Sequence, residues 1–116
     1  MKIGVVNSHL KEKKMKTIKI NCFGAKILFN ALYEDCPLDF LTEDLLAIKY
    51  PPDGIILNVG WYPKSDPNGQ YNVSINFGLE KSNSVSSKNL NEIVRIVEEF
   101  SQSYMMFVGT SAKPGN

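Results

Sequence analysis

The chain of 116 residues is poor in the residues that most often carry chemistry: it has one histidine, His9, and two cysteines, Cys22 and Cys36. Structural zinc takes four Cys or His ligands, so these three widely spaced residues do not compose a zinc site. Cys22 with His9 would be a thiol–imidazole pair, but no third residue suggests itself to orient the imidazole. Phosphate-binding glycine motifs are missing as well. Gly109-Thr110-Ser111-Ala112-Lys113 only imitates a phosphate loop, because no helix is expected to follow it. Asp66–Gly69 matches a fragment of a calcium loop and lacks the closing glutamate. No metal, no cofactor and no catalytic residue is therefore assigned, and the chain is not read as an enzyme.

Long apolar runs are also lacking. Ile55–Leu57 and Met105–Val108 fall far short of the ~18 residues that a membrane span needs, so no membrane partner is expected. Met1–Val6 has no full apolar region and runs into Lys11, Lys13 and Lys14 without a cleavage site, so it is not read as a signal peptide. A cytoplasmic location follows as an expectation, with Cys22 and Cys36 as reduced thiols; a single disulfide is the alternative. No repeat or low-complexity segment occurs. The length suits one domain over 1–116, with 1–14 a basic extension and 110–116 a tail.

What the chain does have is charge sorted along its length. Residues 1–26 hold seven lysines against Glu12, a formal charge of +6, whereas residues 27–116 hold six basic and eleven acidic groups, −5. Glu34, Asp35, Asp39, Glu43, Asp44 and Asp53 crowd into twenty residues. Three readings compete for them: a solvated face, an acid/base pair of carboxylates, and a surface that steers a cationic partner. The lysine-rich start, Lys11–Lys19, would suit a nucleic acid. It has no arginine and no interleaved stacking aromatics, and the acidic remainder would repel phosphate.

Periodicity predicts mixed strands and helices. Met1–Val6 suits a short strand. Ile18 and Ile20 alternate with Lys19 and Asn21, Phe23-Gly24-Ala25 reads as a turn, and Lys26–Leu32 resumes strand character, which together suggest a hairpin. Leu38, Leu41, Leu45, Leu46 and Ile48 recur at roughly helical spacing. They predict a short helix capped by Asp39 or Thr42 and stopped by Pro51-Pro52. Ile55–Tyr62 and Tyr71–Phe77 alternate around the turn sequence Asp66-Pro67-Asn68-Gly69, the clearest hairpin in the chain. The first of these strands is placed centrally and the second nearer an edge. Trp61 and Tyr71 are expected in or beside the core, with Tyr62 on the other face. Ser82–Ser87 reads as a polar connector, with Ser86 or Ser87 capping a helix whose buried stripe is Leu90, Ile93, Val94, Val97 and Phe100. Tyr104–Val108 suits a last short strand. The expected fold is α+β: an antiparallel sheet of hairpins packed on one side by one long and one short α-helix.

The segment Asp53–Pro63, with its Gly60-Trp61-Tyr62-Pro63 strand end, continues through Asp66–Ile75 to the long amphipathic helix. This stretch, roughly Asp53–Ser101, resembles small immunity proteins of bacterial polymorphic toxin systems, those of contact-dependent growth inhibition above all. The resemblance implies a cytoplasmic protein that binds and neutralises one cognate toxin domain, often a nuclease with a basic surface. The residues expected to face that partner are Glu34, Asp35, Asp39, Glu43 and Asp44, with Tyr62 and Asp66 beside them. The alternatives are a nucleic-acid-binding accessory domain using Lys11–Lys19 and a small hydrolase using two of the carboxylates.

Overall fold

The computed structural model describes residues 15–52, 55–77 and 82–112. Five strands run in the order β1 (Lys26–Asn30), β2 (Leu46–Tyr50), β3 (Ile55–Tyr62), β4 (Gln70–Asn76) and β5 (Ser82–Ser87). They lie side by side in that same order, each antiparallel to the next. One long helix, α1 (Leu90–Ala112), packs on the sheet, so the fold is α+β.

Register decides which residues meet the helix. Leu46 pairs with Val59, Ile48 with Leu57, Val59 with Val73 and Trp61 with Tyr71. Opposed residues of an antiparallel pair share a face, and these seven are buried. The helix supplies Ile93, Val97 and Ser101, all at 0 % exposure, at intervals of four residues that keep them in one stripe. Each large side chain so buried contributes about 1.5–3 kcal/mol. The opposite sheet face carries Asn58, Asn72, Ser74 and Asn76, which are exposed or half-buried. Trp61 and Tyr71 meet edge to face, with centroids 4.9 Å apart, and close one end of the core.

Several expectations give way here. The short helix expected from Leu38 to Ile48 is a single 3-10 turn, Leu38–Phe40, followed by strand β2. Leu46, Ile48 and Tyr50 alternate onto the core face of β2, small Ala47 is buried between them, and Lys49 is exposed on the other face. The tight hairpin through Phe23–Ala25 does not form. The turn itself is present, with Phe23 at φ 54° and Gly24 at φ 99°, but before it only Thr17 makes a bridge, to Tyr33. Cys22 is buried there instead.

Ser82–Ser87 is a strand: main-chain pairing with β4 holds it although its side chains carry no apolar pattern. That leaves β3 at the centre of the sheet and β4 nearer an edge, as expected, with β1 and β5 as the edge strands. The helix cap is Asn89, whose side-chain oxygen accepts the Glu92 N–H at 3.1 Å, rather than Ser86 or Ser87. Tyr104–Val108 continues the helix, which includes 110–112 of the expected tail. The calls on Met1–Val6, on residues 7–14 and on 113–116 lie outside the described residues.

Candidate functional site

The acidic segment is positioned by the end of β3. Past Tyr33 the chain turns through Glu34 and Asp35, both exposed, to half-buried Cys36. Burial pushes the Cys36 thiol up from its ordinary value, which disfavours the thiolate. Burial likewise raises the Tyr71 hydroxyl, with a smaller contribution from Cys36. The 3-10 turn follows, and Leu41 then enters the core at 7 % exposure.

From there the chain clamps onto β3 and the β3–β4 loop. The Ser65 N–H donates to the Leu41 carbonyl at 2.8 Å, and the Ser65 hydroxyl to the Asp39 carbonyl at 3.4 Å. The Trp61 N–H donates to the Thr42 carbonyl at 2.8 Å, and the Leu45 N–H to the Val59 carbonyl at 2.8 Å. Between these bonds Glu43 and Asp44 bulge outward, both exposed. Gly60 is the residue that admits the bulge: a Cβ there would collide with the Glu43 carbonyl and its neighbours. The Tyr62 hydroxyl reaches that same carbonyl from the open sheet face at 3.5 Å.

Asp66 organises the loop on the other side. Its carbonyl accepts the Trp61 indole N–H at 2.9 Å and the Gly69 N–H at 2.8 Å. Its carboxylate accepts the Asn68 N–H at 2.8 Å, the side-chain turn that Asp makes in place of a backbone one. Gly69 is needed because a Cβ would stand 2.6 Å from the Trp61 Nε1.

The structure thus brings Asp39, Glu43, Asp44, Tyr62 and Asp66 to one end of the sheet. Glu34 and Asp35 precede them on the same wrapped segment. The β3–β4 loop also carries Lys64, which is exposed. Among the described residues the ion pairs join Arg95 to Glu92 and Glu99, and none involves these carboxylates. Nor does any group of three or more His, Cys, Asp or Glu residues among the described ones come together closely enough to hold a metal. The carboxylates are spread along a surface, a geometry suited to contact over an area.

Two residues of this surface escape a sequence reading. Leu38 belongs to the expected helical stripe and Phe40 has no expected role, yet they stand 38 % and 50 % exposed. The signal that would have found them is the four-residue apolar run after Asp44, which marks a strand start and leaves too few residues for a helix. The basic alternative is only partly described: Lys16 and Lys19 are exposed, and Lys11, Lys13 and Lys14 lie outside the described residues. Among the described residues no helix is long and apolar enough to cross a membrane. No protein-family model matches the chain, and no curated protein or solved structure matches it.

Proposed function

We propose that this chain is an inhibitory binding protein of the immunity-protein kind that its central hairpin resembles. In this reading it holds a basic toxin domain against the acidic end of its sheet. The observation that carries the reading is the clamped segment 39–44 with its companion loop 62–66. It is a main-chain-bonded platform that presents to solvent carboxylates joined in no ion pair among the described residues, together with the 46 % exposed Tyr62. Acidic side chains gathered on one surface repel one another, and a cationic partner relieves that repulsion and is steered toward it. Tyrosine supplies contact area with a polar tip, a common interface anchor.

Inhibition by occlusion needs no reacting group in the inhibitor. The test is co-expression with the protein encoded in the adjacent reading frame. The reading predicts that the neighbour arrests growth alone, that this chain restores growth, and that the two co-purify in a fixed ratio. A neighbour that is harmless, or that stays lethal and unbound, would overturn it.

A further inference from the structure

Leu38 and Phe40 project from a turn that the fold holds shut. The Phe40 N–H donates to the Pro37 carbonyl at 2.9 Å and the Leu41 N–H to the Leu38 carbonyl at 3.0 Å. Ser65 fastens the turn from below through Asp39 and Leu41. Buried Leu41 fixes its orientation, so the chain turns one leucine into the core while the two apolar residues before it stay out. Large apolar side chains left partly in water forgo burial that a covering partner recovers.

The occupant is set by what surrounds them. Asp39 stands between the two, Asp35 precedes them and Glu43 follows, all exposed. A second copy of this chain would bring the same acids face to face, and phosphate groups would be repelled. Exposed apolar residues elsewhere, such as Ile27, Leu28 and Phe29 on edge strand β1, have no such frame of one charge sign.

We propose that Leu38 and Phe40 form the apolar anchor of the partner-binding surface, and that the partner is a basic protein whose apolar pocket, rimmed by Lys or Arg, receives them. The inference rests on the binding reading above and adds the residues that hold the complex together once charge has brought it together. Buried aromatic anchors govern dissociation, whereas rim charges govern encounter and salt dependence.

The two roles separate kinetically. The probe is the protein of the adjacent reading frame, and its association and dissociation are followed at several salt concentrations. Phe40→Ala is expected to speed dissociation about 30-fold, the hot-spot scale of ~2 kcal/mol, with the association rate and its salt slope unchanged. Leu38→Ala, a second variant in case the first disturbs the turn, is expected to act in the same direction, with thermal melting confirming that both fold. The paired change Asp39→Lys with Glu43→Lys is expected to slow association and flatten its salt dependence. If Phe40→Ala and Leu38→Ala both dissociate within twofold of the parent while the charge variant still slows association, the anchor is overturned and the acidic surface stands. If the parent chain forms no complex, the reading beneath the anchor falls, and the anchor with it.

Discussion

The hydroxyls of Tyr50 and Ser101 lie 2.6 Å apart inside the core and join β2 to α1 across 51 positions of sequence. Tyr50 is 1 % exposed and Ser101 0 %. The Tyr50 ring meets Phe100 and Tyr104 edge to face at 5.3 and 5.6 Å, so it is held by packing as well as by the hydrogen bond. Removing one partner strands the other away from water, at a cost of about 1–3 kcal/mol. Tyr50→Phe and Ser101→Ala should each lower stability by that order in urea titrations. The double variant should cost clearly less than their sum, because no polar group is then left unpaired. Strict additivity would show that the two hydroxyls do not depend on each other.

The same tyrosine sets an alkaline limit. Burial pushes its hydroxyl up to about 12 from 10.0, against the opposing effect of the Ser101 hydrogen bond. A raised acid binds its proton more tightly in the folded chain. Tyr50 therefore contributes a constant amount of stability below pH 10, and between 10 and 12 the unfolded chain ionises first and that contribution is lost. Two pH units correspond to roughly 3 kcal/mol. The shift at Tyr71, in the same direction, adds to the slope. Stability measured against pH should be flat through neutrality as far as these groups are concerned, then fall above 10, and Tyr50→Phe should make that fall shallower. An unchanged slope in the variant would assign the alkaline limit to other groups.

Gly60 should be unusually intolerant for a strand residue. Alanine normally improves on glycine inside regular structure, but here the added Cβ would run into the Glu43 backbone. Gly60→Ala should therefore destabilise the fold by about 1–3 kcal/mol, the usual scale of overpacking. It should also lift the 42–44 bulge and weaken partner binding beyond what the loss of stability explains. Gly109→Ala is the control, because nothing lies near that Cβ. A Gly60→Ala chain as stable as the parent would mean the bulge moves freely.

The β3–β4 hairpin, the buried pair Trp61 and Tyr71, and the stripe of the long helix were all legible in the sequence. In each the apolar period is clean and the ends carry turn or cap residues. The segment from Pro37 to Tyr50 was not. Leu38, Leu41, Leu45 and Ile48 satisfy a helical period by coincidence, while the fold uses the last of them on the core face of a strand. Strand β5 was invisible because Ser82–Ser87 owes its structure to main-chain pairing with β4, which leaves no apolar mark. The acids could be named from sequence because their density is local. Their arrangement could not, since it depends on Gly60 admitting Glu43 and on Ser65 fastening Asp39.

We propose that the acidic end of the sheet neutralises a basic toxin partner. The most direct measurement is growth protection by the variant carrying Asp35→Lys, Asp39→Lys, Glu43→Lys and Asp44→Lys, four exposed side chains that make none of the bonds clamping the segment. This variant is expected to fold, with its melting temperature within a few degrees of the parent, and to rescue no cells expressing the adjacent-frame protein. Full rescue by that folded variant would rule out neutralisation through the acidic end of the sheet and move the partner to another face of the molecule.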